Sequence, residues 1–160
     1  MDLHEIRRIE ELKYRYLRCL DQKRWDEILE CFTSDATAAY SGGRYSFRGR
    51  DEIVAFLRRA MGRESFLSSH RVHHPEIELT AADRATGTWA LDDCVVDVEH
   101  GVTIRGAAFY EDVYHKLDGR WKISHTGYRR SWEEVEARDR VRLTASWWGT
   151  GGRSELPVPD

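Results

Sequence analysis

Long apolar runs, cysteines and excess positive charge are all scarce in this 160-residue chain. No apolar run approaches the roughly 20 residues a membrane-spanning helix needs. The acidic start "MDLHEIRRIEE" also lacks the character of a signal peptide. Cys19, Cys31 and Cys94 are odd in number and show no metal-ligand spacing. They read as reduced, mostly buried thiols, and the expected location is the cytoplasm. Lysine and arginine total 25 against 28 acidic residues, a net charge of −3. With no basic excess and no basic run, neither nucleic acid nor an anionic membrane is an expected partner. Repeats and low-complexity segments are absent too.

What is present is a soluble globular composition of 41% apolar and 33% charged residues, with six Trp and seven Tyr. This length supports one domain with a real core. Aromatics in such number suit a core, an interface or the wall of an apolar pocket. Ile6, Ile9, Leu12, Tyr16 and Leu20 recur at helical spacing and predict an amphipathic helix over residues 2–22. "RWDEILECF" predicts a short second helix with Trp25, Ile28, Leu29 and Phe32 on one face. "RDEIVAFLRRAM" predicts a third, with Ile53, Phe56, Leu57 and Met61 as its stripe. Between them, "SGG" joins two short strands as a hairpin.

The remainder alternates and is rich in β-branched and aromatic residues, over "SFLSSHRVHHPEIELT", "RATGTWALDDCVVDVEH", "VTIRGAAFYEDVYHKL" and "RWKISHTGYRRSW". Helices first and an antiparallel meander afterwards predict an α+β fold, a curved antiparallel sheet closed by three N-terminal helices around a cavity. "EEVEARDR" reads as a charged helix. Trp147 and Trp148 are expected to dock on the domain or a neighbouring subunit. The expected organisation is a domain over residues 1–145 and an extension over 146–160.

Several polar residues sit where a core does not need them. Tyr16 lies on the apolar face of the first helix and Asp21 at its end, and burying either costs free energy unless something bonds to it. Asp21 alone also fits a helix cap. Trp89, Leu91, Asp93 and Val95 share one strand face; Thr103, Arg105, Ala107 and Phe109 share another. Small residues at Gly106, Ala107 and Ala108 leave room on a concave sheet. On the last strand Lys122, Ser124, Thr126, Tyr128 and Arg130 share a face, and Arg130 is a candidate partner for Asp93. His70 precedes Pro75, which is expected to bend or end its strand. Strand spacing splits the histidines of "HRVHH" across faces, so no metal site is expected.

"KYRYLRCLDQKRWDEI", "HRVHHPEI", "ATGTWALDD", "GAAFYEDVYHKLDGRWKI" and "TGYRR" together resemble the nuclear transport factor 2, or SnoaL-like, superfamily, over most of residues 5–135. Within it the likeness is greatest to bacterial bile-acid dehydratases and, more distantly, to scytalone dehydratase-like enzymes. The resemblance implies a cone-shaped α+β barrel and a cofactor-independent dehydratase. Its substrate would be a hydrophobic hydroxylated carbonyl compound such as a steroid, carried in some cases as an acyl-thioester. It implies catalytic roles for Tyr16, Asp21, His70 and Asp93 and a homotrimer or homodimer. Arg130 follows as a substrate-binding residue, with Trp89 and Phe109 as candidate pocket aromatics. Steroid-isomerase-like or polyketide-cyclase-like chemistry is the alternative, as is a non-catalytic ligand-binding or structural subunit.

Overall fold

The computed structural model describes residues 2–157. Helix α1 (Leu3–Asp21) starts at Asp2, whose carboxylate accepts from the amides of His4 and Glu5. It buries Ile9, Leu12, Tyr16 and Leu20, the face the spacing predicts. Helix α2 (Trp25–Leu29) is one short turn that buries Ile28, and α3 (Arg50–Met61) buries Ile53, Val54 and Leu57.

Six strands form one sheet: β1 (Phe32–Tyr40), β2 (Tyr45–Arg48), β3 (Phe66–Ala81), β4 (Arg84–Asp97), β5 (Val102–Leu117) and β6 (Arg120–Ala137). Their order is β2-β1-β6-β5-β4-β3. Three helices and one six-stranded sheet confirm the α+β class. The expectation of a purely antiparallel sheet needs correction, because β1 runs parallel to β6. That pairing follows from chain order: α1 and α2 bring the chain to the free edge of the β6 strand, and β1 enters beside it.

Three further expectations change. Pro75 does not end its strand. β3 continues through a bulge, with His73 opposite Ala90 and Glu76 opposite Thr88, and His74 has a positive φ of 28°. β3 is the sheet edge, where a missing N–H costs no ladder bond. "EEVEA" is strand, not helix, because β5 offers a ladder as far as the Val102–Ala137 pair, and tertiary pairing overrides local preference. Finally, the row Lys122 to Arg130 does not share one face. A bulge pairs Val113 with His125 but Tyr114 with Ile123, so Lys122 falls opposite the outward His115 while Thr126 and Tyr128 face the buried Asp112 and Tyr110.

The core between α1 and the sheet is packed with aromatic residues. Tyr16, Trp89, Tyr110 and Tyr114 are all almost fully buried there. Lys13 lies among them, its Nζ 2.7 Å from Asp112 and 3.4 Å from the centre of the Tyr110 ring. Asp112 also accepts from Tyr114 (2.7 Å) and Thr126 (2.7 Å), so the buried charge is well bonded. Beyond Ala137 the chain follows no regular element. Trp148 packs on the Lys23 ammonium, 4.6 Å from its ring centre, whereas Trp147 stays 61% exposed. Met1 and residues 158–160 of the expected extension lie outside the described residues. No described helix is long and apolar enough to cross a membrane.

Candidate functional site

Asp21 is the last residue of α1, and α2 takes Arg24 as its N-cap without a side-chain bond. The capping alternative for Asp21 is therefore not the one realised. A carboxylate in the last turn of a helix opposes the macrodipole, so this position costs stability unless other bonds repay it. They come from β3. Oδ1 of Asp21 lies 2.6 Å from Nδ1 of His70 and accepts from Ser68 Oγ at 2.8 Å; Oδ2 accepts from the His70 backbone amide at 2.9 Å. His70 is thus held by main chain and ring together. Its side chain is only 9% exposed.

That bond decides the chemistry of the ring. With Nδ1–H donating to the carboxylate, a neutral His70 keeps Nε2 free as a base, and Asp21 steadies the cation that forms when Nε2 takes a proton. Ser68 escaped notice in the sequence, although the signal was available: it stands two residues before His70 on one strand face.

The second pair lies beside the first. Asp93 is the register partner of His70, so their Cβ atoms are about 5 Å apart on the concave face. Arg130 binds Asp93 with both terminal nitrogens; Nη2 lies 2.9 Å from Oδ2. Burial works against the guanidinium's charge, but the hydrogen bonds and charge of Asp93 outweigh it and raise the Arg130 pKa. Arg130 also lies over the Tyr128 ring, 5.1 Å from its centre. A bulge aims it: Ala107 pairs with Trp132 but Ala108 with Arg130, which brings Arg130 onto the face of Ala108. The room expected at Gly106 exists, yet Arg130 fills it. A Cβ there would stand 2.7 Å from Nη1.

The other expected site residues fall elsewhere. Tyr16 is five residues before Asp21, hence about 140° round the helix. It faces the core, where its hydroxyl is 3.2 Å from that of Tyr40. Burial foremost, and neighbouring tyrosines, push its pKa well above the ordinary value, so it stays a protonated donor. Trp89 does point to the concave side but is fully buried, its indole donating to Tyr114 at 2.9 Å. It is a core residue and not a pocket wall. Phe109 is on the opposite, outer face, 51% exposed, because its register partners are Ala90 and Arg129 while Ala108 and Tyr110 point inward.

The cavity expectation changes with them. An open depression of about 520 Å³ lies between α1 and β3, with Tyr14, Leu17, Asp21, His70 and Val72 in its wall. That volume suits a small organic ligand. Among the described residues no group of three or more His, Cys, Asp or Glu could hold a metal ion. Cys19, Cys31 and Cys94 are free thiols.

Solved structures share this architecture. A protein provisionally assigned as a scytalone dehydratase from Novosphingobium aromaticivorans superimposes with a TM-score of 0.76 at 22% identity, covering 96% of this chain and 97% of its own. The hexachlorocyclohexane dehydrochlorinase LinA-type3 from Novosphingobium barchaimii gives 0.77 at 19% identity, covering 88% and 94%. Rv3472, a protein of unknown function from Mycobacterium tuberculosis, gives 0.70 at 25% identity, covering 81% and 73%. At these identities the likeness establishes the fold, and chemistry varies within a fold. The family model of the SnoaL-like domain matches residues 1–127, and the chain belongs to that family.

Proposed function

We propose that this protein is a cofactor-independent lyase of the dehydratase type, acting on a hydrophobic hydroxylated carbonyl compound, steroid-like in class. The observation that carries the reading is the Asp21 carboxylate bound to both the ring and the amide of His70. A histidine so held, at the wall of an open apolar depression, has the form of a general base. Structural neighbours named as a dehydrochlorinase and, provisionally, a dehydratase support the same reaction class.

In this reading Nε2 of His70 removes a proton from the carbon beside the substrate carbonyl. The electron pair forms the new double bond as the carbon–oxygen bond breaks, and the imidazolium returns its proton to the departing hydroxide as water. Asp21 fixes the tautomer and stabilises the imidazolium. Asp93, with both oxygens engaged by Arg130, holds that guanidinium beside His70. Tyr16, bonded to Tyr40 in the core, takes no part in the step.

The test is a panel of β-hydroxy ketones, hydroxysteroids and their acyl-thioesters, followed by absorbance of the conjugated product. Turnover that vanishes in His70→Ala, with unchanged folding, supports the reading. Binding of such ligands without turnover, or turnover undiminished in His70→Ala, overturns it.

A further inference from the structure

The outer face of the sheet, opposite the helices, is not the polar face that a solvated antiparallel sheet presents. Near its centre Phe109 is 51% and Trp132 49% exposed, with Val113 also exposed further along β5. Ala90 lies opposite Phe109 on one side and Ala107 lies opposite Trp132 on the other, so small apolar residues join the large ones into one patch. An exposed apolar patch of this kind marks a contact surface.

Beside the Phe109 ring lies a hollow of about 150 Å³, with Glu111, His125 and Arg129 at its rim and Ala39 and Gly127 at its base. The close approach of β1 keeps it open, since a Cβ on Gly127 would stand 2.7 Å from the Ala39 carbonyl oxygen. A hollow of that volume takes a benzene ring. A projecting phenyl ring and a socket of phenyl size thus stand side by side on one face. Repeated about a two-fold axis, each copy's ring enters the other's socket and the contact closes on itself.

The charges fit the same symmetry. Glu111 and Arg129 flank the socket on neighbouring strands, and among the described residues neither has an ion-pair partner. Arg105 and Asp92, by contrast, have partners within the chain, Glu136 and His73. At about 4.8 Å between strands and about 3.3 Å per residue, the face from β3 to β1 alongside Arg105–Val113 covers about 700 Å² on each copy. That is close to the roughly 800 Å² per partner of a standard stable interface.

We infer that this face pairs two copies of the chain as an isologous dimer, with Phe109 seated in the partner's socket over Gly127 and Arg129 bonded to the partner's Glu111. The contact lies on the opposite side of the sheet from the Asp21–His70 pair and does not rest on the chemistry there.

The experiment is sedimentation equilibrium of the full chain at micromolar concentration. Wild type should be a dimer, and Phe109→Asp a monomer with an unchanged far-ultraviolet circular dichroism spectrum. Glu111→Arg and Arg129→Glu should each raise the dimer dissociation constant about tenfold or more, since each sets like charges against one another. The combined Glu111→Arg/Arg129→Glu variant should recover most of that loss, which a defect in folding cannot do. A monomeric wild type, a trimer, or a dimer that survives Phe109→Asp would each overturn the inference, as would a combined variant no tighter than the single ones. An oligomer kept in Phe109→Asp but lost in Trp147→Ala would assign the contact to the C-terminal extension and overturn it as well.

Discussion

The guanidinium of Arg130 passes over Gly106 to reach Asp93, in space that any other residue's Cβ would claim. A carbon added at Gly106 would lie 2.7 Å from Nη1 and 2.9 Å from the Trp132 carbonyl oxygen. The charge pair on β4 and β6 thus depends on a missing side chain on the strand between them. Gly106→Ala should cost about 1–3 kcal/mol, the usual range for overpacking, as read from urea denaturation. An unchanged midpoint would show that Arg130 reaches Asp93 another way.

Removing Arg130 should be worse than replacing the pair. Asp93 has a side chain only 5% exposed, and Arg130→Ala strands its charge. The expected loss is about 3 kcal/mol, while Arg130→Met with Asp93→Leu recovers part of it. A double variant no better than the single would mean that Arg130 acts chiefly through packing on Tyr128.

Asp21→Asn keeps the shape at the end of α1 and removes the charge. Nitrogen-15 chemical shifts should show His70 leaving its single Nδ1–H tautomer for a mixture. Turnover on any substrate found should fall by about 10²-fold or more. If the tautomer is unchanged, Asp21 does not orient the ring.

Lys23 links the ends of α1 and α3 to the start of β3, donating to Met61 O at 2.5 Å and Phe66 O at 2.7 Å. Half-burial lowers its pKa to about 8, against the opposing pull of Asp21. A lysine whose pKa is lower folded than unfolded penalises the folded state while charged. The unfolded chain then holds more protons between about pH 8 and the usual value near 10.5, so stability rises across that window. Measured against Lys23→Gln, which cancels the other titrations, wild-type stability should gain about 1 kcal/mol after allowance for solvent screening. A flat difference would place the ammonium in water.

Lys13 tests the aromatic core. Lys13→Met leaves Asp112 with Tyr114 and Thr126 but no cation, and should cost about 3–5 kcal/mol in thermal or urea unfolding. A loss below about 1 kcal/mol would show that Lys13 and Asp112 are not held as a charged pair.

Local spacing was enough to place the three helices and most of the strands, though not the end of β6, and to pick out polar residues that needed explaining. Helical spacing placed Ile9, Leu12, Tyr16 and Leu20 on one buried face, and alternation placed Trp89, Leu91, Asp93 and Val95 on one side of β4, because both periods are local backbone geometry. Asp21 stood out at the end of that helix, while His70 was marked by the family resemblance. Tertiary structure alone decided what those residues touch. Bulges at Ser124 and Ser131 reset which face β6 presents, and no two-residue rhythm records an extra residue in a ladder. Phe109 points outward because of its neighbours' register, the parallel β1–β6 pairing comes from distant segments meeting, and Gly106 is required only because an arginine two strands from its partner crosses there. Periodicity belongs to one segment, but register and close approach belong to pairs of segments, so only the folded chain could set them.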